Sequence, residues 1–296
     1  MSIDCVLVTP PVAPALAEMT FPLYRQLMAS SDPGVVAIAA MKEGQPIALV
    51  LARFLASAEL LSLYVSPSHR RQGVGRSLLA ALEAELNRRG CRDVATTWIR
   101  KSPGVDVFAD LLQGQGWSPP QPRMILYLAE RARLAHANWI LGFTTLPPGH
   151  TIVPWSDVTP EQIQTLRQAI RFEGWVPAGL IPFDHMGTAP DGSLPEPQLN
   201  LACIAWGEVV GWNFAHRLNA HTVRATCTYV RTDLQQHLLM LALWREFFLR
   251  LADTEYREIS WGVFLENKAM VAFNDKYMSP YLSRRSESWG SRKNLG

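Results

Sequence analysis

Leu63-Tyr64-Val65-Ser66-Pro67-Ser68-His69-Arg70-Arg71-Gln72-Gly73-Val74-Gly75-Arg76-Ser77-Leu78-Leu79 joins an apolar, extended run to a helical pattern through a loop with two glycines. Leu78, Leu79, Leu82 and Leu86 fall on one face of a helix that Gly90 should stop. Gly73 and Gly75 leave backbone N–H groups unobstructed, and the helix start behind them adds unpaired N–H groups and a partial positive charge. His69, Arg70, Arg71 and Arg76 surround the glycines, while no acid occurs between Val65 and Leu82. A diphosphate-bearing ligand suits such a loop. Glycines alone would fit a plain turn ahead of an exposed basic helix; the order strand, Pro, basic pair, glycines, helix favours the phosphate loop.

Working outward, residues 35–41 and 46–54 are apolar, partly β-branched runs separated by Lys42-Glu43-Gly44-Gln45, a hairpin signal. Residues 60–65 make a third strand, 94–99 a fourth, 105–113 a short helix and 123–128 a last strand after a Pro-rich turn. This order predicts an α/β domain over residues 1–128. Residues 129–149 contain a helical pattern and then Leu146-Pro147-Pro148-Gly149, read as a linker. Beyond it the order recurs within residues 150–296: strands at 199–206, 209–216 and 223–230, a helix from about 234 to 251, and a strand at 258–263. This is an internal repeat in which Val230 is the counterpart of Val65. The stretch 177–197, with Pro177, Pro182, Pro190, Pro195 and Pro197, is a long irregular connection.

The 296 residues carry 28 basic and 26 acidic side chains, a net charge of +2, which gives no compositional reason to expect nucleic acid or a membrane surface as partner. No apolar stretch approaches the roughly 20 residues of a bilayer span. The N-terminal segment has no basic cluster ahead of an apolar run, so no secretion signal is expected. Cys5, Cys91, Cys203 and Cys227 are scattered and lack C-x-x-C spacing, which predicts free thiols, no metal site and a cytoplasmic location.

Arg70-Arg71-Gln72-Gly73-Val74-Gly75, placed after a strand and before a helix, resembles the signature of the GNAT superfamily of acyl-CoA-dependent N-acyltransferases. The resemblance covers most of residues 1–128. It implies an α/β fold built as a mostly antiparallel mixed sheet flanked by helices, with acetyl-CoA or another short acyl-CoA as co-substrate. The pyrophosphate would be held by the N–H groups of residues 71–76, with Arg70 and Ser77 beside them. The pantetheine arm would run along Leu63, Tyr64 and Val65, and an amine would attack the thioester directly. Many relatives carry a Tyr four residues before a Gly-Phe pair; here Gly116-Trp117 supplies the pair and Leu112 stands at the Tyr position. Tyr64 and Glu59 are the remaining candidates for acid and base, against plain readings as a packed strand aromatic and a solvated strand-end acid. His69 is a lesser candidate for a phosphate contact.

In the second copy, Asn267, Met270 and Asn274 resemble the closing motif of tandem acetyltransferases of the mycothiol synthase kind, with Met278-Ser279 in place of Gly-Phe. Residues 230–239 contain no glycine and place Asp233 near the helix start, so the phosphate loop is expected to be missing there and the second copy to be degenerate. Its eight tryptophans from Trp139 onward fit core packing or an acceptor pocket, and Glu173-Gly174-Trp175 a loop or a cover. Two functions are expected from these readings. One is an N-acyltransferase whose first domain is catalytic and whose second shapes the acceptor site, the acceptor amine being unspecified. The other is a non-catalytic acyl-CoA sensor or protein-interaction module, which Leu112 favours.

Overall fold

A computed structural model of the chain describes residues 3–9, 11–29, 31–54 and 57–296, with His237 described by its backbone alone. Met1, Ser2 and Pro10 of the N-terminal stretch lie outside the described residues. The chain divides into two compact units. The first holds residues 1–124, 190–192 and 286–296, the second residues 125–189 and 193–285.

The first unit runs β1 (Asp4–Val8), α1 (Pro14–Ala17), α2 (Arg25–Ala29), β2 (Val35–Lys42), β3 (Gln45–Phe54), β4 (Ala58–Val65), α3 (Val74–Arg88), β5 (Asp93–Ile99), α4 (Val105–Gln113) and the first residues of β6 (Gln121–Glu130). Its strands lie in the order β1-β2-β3-β4-β5, antiparallel except for the parallel pair β4–β5. Glu43 and Gly44 both have positive φ, 51° and 77°, between the paired residues Lys42 and Gln45. That two-residue turn matches the strand twist and sets the register of the hairpin. The sheet has a core on each face. On one, Val36, Ile38, Val50, Ala52 and Leu60 pack against Val74, Leu78, Leu79, Leu82 and Leu86 of α3. On the other, Ala37, Ala39, Leu49, Leu51 and Leu61 pack against Leu27 and Met28 of α2. Each leucine that α3 buries contributes about 2 kcal/mol of transfer free energy.

The second unit continues through α5 (Arg131–Leu134), α6 (Asn138–Leu141), β7 (His150–Pro154), α7 (Pro160–Glu173), β8 (Leu194–Pro195), β9 (Leu201–Ala205), β10 (Glu208–Arg217), β11 (Thr222–Val230), α8 (Leu239–Ala252), β12 (Glu258–Phe264), α9 (Lys268–Phe273) and the start of β13 (Leu282–Asn294). Its strand order is β6-β12-β11-β10-β9-β7, with β8 beside β10 and β11–β12 parallel. The repeat is visible in detail. Trp206 and Gly207, φ 49° and 87°, form the same kind of turn between Ala205 and Glu208. The register of β10 on β11 jumps between Phe214/Cys227 and Ala215/Ala225, leaving Thr226 as an extra residue, as Leu61 is in β4.

Two features depart from a division by sequence order. Residues 129–149 are not a free linker, because Leu134, Ala137 and Ile140 are buried in the core of the second unit. The last residues of the chain join the first unit, where Ser288 to Asn294 pair antiparallel with Ile99 to Asp93 of β5. Those backbone bonds are made across 189 or more positions of sequence, so local pattern carries no trace of them.

Candidate functional site

The site of the first unit begins where β4 ends. Ser66 N–H donates to Ile47 O at 2.9 Å, a short 3₁₀ turn comes next over Pro67–His69, and α3 starts at Val74 with Gly73 as its N-cap. Arg71 and Gly73 have φ of 61° and 80°, so left-handed residues alternate along the loop. Alternation of this kind turns successive N–H groups toward one concavity, a geometry suited to an anion. The first intrahelical bond is Ser77 N–H to Gly73 O at 3.1 Å. Among the described residues, none of the N–H groups of Arg71, Gln72, Gly73, Val74, Gly75 or Arg76 has an acceptor. Six unpaired amides in sequence at the start of a 15-residue helix form a concentrated donor set.

Side chains brace this loop and leave two cations unengaged. Arg70 Nε donates to Val65 O at 3.0 Å and Gln72 Nε2 to Ser68 O at 2.9 Å. His69 Nδ1 lies 2.9 Å from Ser66 Oγ and 3.0 Å from Ser68 Oγ, which fixes its ring against the turn. Arg71 and Arg76 are exposed and make no side-chain hydrogen bond or ion pair among the described residues. Gly75 faces the edge of β4: a Cβ built there would meet Leu111 Cδ2 at 3.3 Å, Leu63 Cδ2 at 3.7 Å and Val65 Cγ2 at 3.8 Å. A longer side chain would enter the space between α3 and that edge.

The edge itself is exposed by a fork. β4 and β5 pair only over Ala58↔Val94, Glu59↔Ala95 and Leu60↔Thr96. At the last pair, Thr96 Oγ1 donates to Leu60 O at 2.8 Å. Beyond it, the stretch from Leu61 to Val65 has β3 on one side and, among the described residues, no partner strand on the other. The extra residue at Leu61 re-aims the side chains after it. Ser62 lies opposite Leu51 and Tyr64 opposite Leu49, on the face that carries α1 and α2, as Glu59 lies opposite Arg53. Leu63 and Val65 point to the α3 face. The fork thus brings Glu59, Ser62 and Tyr64 to one face of one strand. Leu112 is fully buried in the α3-side core and has no proton to give. Ser62, and Thr20 beside it, are polar residues next to the candidate site that the sequence does not single out: neither lies in a motif, and only the bulge turns Ser62 to its face.

The second unit keeps the frame and fills it. Leu238 holds the left-handed N-cap position of Gly73, with φ 59°, and Gln235 Nε2 donates to Val230 O at 3.0 Å, as Arg70 does to Val65 O. Leu238 N–H and Leu241 N–H are already bonded, to Gln235 O and Leu238 O, and Met240 stands at the position of Gly75. The fork of β11 and β12 ends at Ala225↔Trp261. There Trp261 stacks on Tyr127, 5.5 Å between centroids, and donates Nε1–H to Asn274 Oδ1 at 2.8 Å. Burial, and then the neighbouring Asp275 carboxylate, pushes the Tyr127 phenol up to about 12. On the other face Trp175, just past Gly174, stacks on Tyr229, the counterpart of Tyr64, and accepts its O–H at the backbone carbonyl at 2.9 Å. The closing motif is structural as well: Asn267 Oδ1 caps α9 through Met270 N–H, and Asn274 Nδ2 donates to Met270 O.

Among the described residues there is no group of three or more His, Cys, Asp or Glu that would hold a metal ion, and no helix long and apolar enough to cross a membrane. The model of the acetyltransferase (GNAT) family matches residues 8–104. No curated protein matches the sequence. Among solved structures, a tandem GNAT protein from the clavulanic acid biosynthesis pathway aligns over 100% of this chain and 99% of its own, at 14% identity and a TM-score of 0.67. A GCN5-related N-acetyltransferase from Sphaerobacter thermophilus aligns over 99% and 96%, at 15% identity and 0.64. A GCN5-related glucosamine N-acetyltransferase region of a fungal multi-domain β-N-acetylglucosaminidase covers 98% of this chain and 38% of that one, at 12% identity and 0.70. At these identities the likeness is one of fold. The match to the acetyltransferase (GNAT) family model lies within the first unit, and along its whole length the chain shares its fold with these tandem GNAT structures.

Proposed function

We propose that the first unit binds an acyl-CoA, with acetyl-CoA the expected donor, and transfers the acyl group to an amine. The observation that carries this reading is the run of six unpaired amides from Arg71 to Arg76 beside the unpaired edge of β4. A pyrophosphate would satisfy the amides, Arg71 and Arg76 would neutralise its charge, and Gly75 would leave room for it to approach. The pantetheine amides would pair with the edge at Leu63, Tyr64 and Val65 as an added strand does. A backbone N–H on that edge would stabilise the oxyanion of the tetrahedral intermediate. Glu59 and Tyr64, on the α1–α2 face, are the candidates to take a proton from the attacking amine and to return one.

The second unit is proposed to bind no acyl-CoA: its loop amides are partly paired, Met240 replaces Gly75, and beside its fork Trp261 of β12 stacks on Tyr127 while Trp175 stacks on Tyr229 of β11. The separate buried thiols of Cys91, Cys203 and Cys227 suit a reducing, cytoplasmic setting. Titration calorimetry with coenzyme A tests the cofactor reading, and thiol release from acetyl-CoA with a panel of small amines and peptides tests transfer. One coenzyme A bound per chain and turnover with at least one amine are expected. Leu112, which removes the hydroxyl of the fourth helix, favours a second reading in which the chain binds acyl-CoA without turnover. Tight binding with no thiol release across the panel would select it.

A further inference from the structure

We infer that Ser62, in place of the candidates Glu59 and Tyr64 on the same face, is the proton relay of this site, with Thr20 positioning it; this rests on the acyl-CoA reading above. Ser62 comes directly after the extra residue of β4, two positions past the last β4–β5 pair, and is 7% exposed. Its Oγ lies 2.6 Å from Oγ1 of Thr20, itself 8% exposed, on the segment between α1 and the turn Pro22–Tyr24. Among the described residues neither hydroxyl has another hydrogen-bond partner. Two hydroxyls carry two protons, and the one bond between them uses one. The other O–H is nearly buried at the mouth of the fork without an acceptor, although buried donors are nearly always paired.

An arriving thioester supplies what the pair lacks. The carbonyl carbon would sit against the same unpaired edge, and the departing sulfur needs a proton that Leu112 cannot give. As the C–N bond forms, the amine nitrogen becomes a cation. As the C–S bond breaks, the Ser62 hydroxyl proton passes to sulfur and a proton from nitrogen passes to Ser62 Oγ. The products are a neutral amide and a neutral thiol, and Ser62 ends as it began. Thr20 acts only by holding the Ser62 Oγ in place, so it is a positioning residue.

The test uses the full chain, coenzyme A, acetyl-CoA and the amine best acetylated in the acceptor panel. Ser62→Ala should lower kcat roughly a hundredfold with KM for acetyl-CoA unchanged. It should also raise the apparent pKa of the bound coenzyme A thiol, read from thiolate absorbance, by about one unit, because a donor to sulfur is lost. Thr20→Ser should keep both values and Thr20→Val should move both in the same direction by less. If Ser62→Ala does not fold, Thr20→Val carries the test. Unchanged kcat and thiol pKa in the variants would overturn the relay while leaving the acyl-CoA reading intact. Failure of the unaltered chain to bind coenzyme A would overturn both.

Discussion

Replacing Gly75 by Met gives the loop proposed to hold the pyrophosphate the residue found at the same place in the second repeat. The variant itself should fold. A Cβ at position 75 meets nothing nearer than Leu111 Cδ2 at 3.3 Å, a flexible side-chain end, and Gly75 is not in a left-handed conformation. Met is also the better helix former by about 0.8 kcal/mol, which offsets part of the about 1–3 kcal/mol that added bulk against packed neighbours costs, so the unligated stability should fall by no more than about 2 kcal/mol. The ligated state is another matter. The new side chain starts toward Leu111, Leu63 and Val65, between α3 and the edge along which the proposed ligand would lie, and is expected to cost the ligand two of its amide bonds. Each charge-assisted bond lost is worth about 1.5–3 kcal/mol, so the dissociation constant should rise at least about a hundredfold. At a coenzyme A concentration a hundred times the original constant, ligand stabilises the unaltered chain by about 2.7 kcal/mol, or about 5–10 °C in the melting of the first unit. A hundredfold weaker variant retains only about 0.4 kcal/mol, about 1 °C. Thermal melts with and without coenzyme A measure both numbers. A variant that melts normally and keeps the full ligand shift would refute the placement of the pyrophosphate at this loop.

Other expectations concern stability and reactivity. On α3, hydrogen bonds from Arg88 and then Arg89, at 2.8 and 2.7 Å, hold the Glu85 carboxyl down to about 2. A depressed folded-state value means the stabilisation is present above about 4.5 and is lost as pH falls toward about 2. Glu85→Gln should therefore cost about 1 kcal/mol near neutrality, after allowance for the exposure of Arg88, with the gap closing across that acid range in denaturant titrations. Trp261→Phe leaves Asn274 Oδ1 without its donor and should destabilise the second unit by about 1–3 kcal/mol with coenzyme A affinity unchanged; a loss of affinity would contradict assignment of the ligand to the first unit. Burial pushes the Cys203 and Cys227 thiols up to about 12. A disulfide reagent at mildly alkaline pH should leave both unmodified until denaturant is added, as mass spectrometry of the labelled chain would show.

Much of the first unit was legible because its signals are local. The Lys42-Glu43-Gly44-Gln45 turn, the leucine face of α3, the left-handed Gly73 and the close-packed Gly75 each express a local demand within a few residues. The repeat was legible for the same reason, since Trp206-Gly207 and the β11-to-α8 order restate those demands. The bulge at Leu61 has no composition of its own: its sequence, Leu60-Leu61-Ser62, reads as an unbroken strand. Only pairing with β3 shows that Ser62 turns to the α1–α2 face and meets Thr20, 42 positions away. Leu112 could be recognised as lacking a proton, but not as sealed in the core.

What the sequence by itself determined is the set of elements and the glycine-paired strand-to-helix loop with its basic side chains, because strand, glycine turn and helix N-terminus are short-range consequences of side-chain size and periodicity. Tertiary structure alone decided that residues 286–296 complete the first unit, that Trp261 stacks on Tyr127, and that Trp175 stacks on Tyr229. It also placed two hydroxyls with one unspent proton at the mouth of the fork in the first unit. Those outcomes depend on which distant surfaces meet, and the free energy that selects them comes from burial and hydrogen bonds made between segments, not within them.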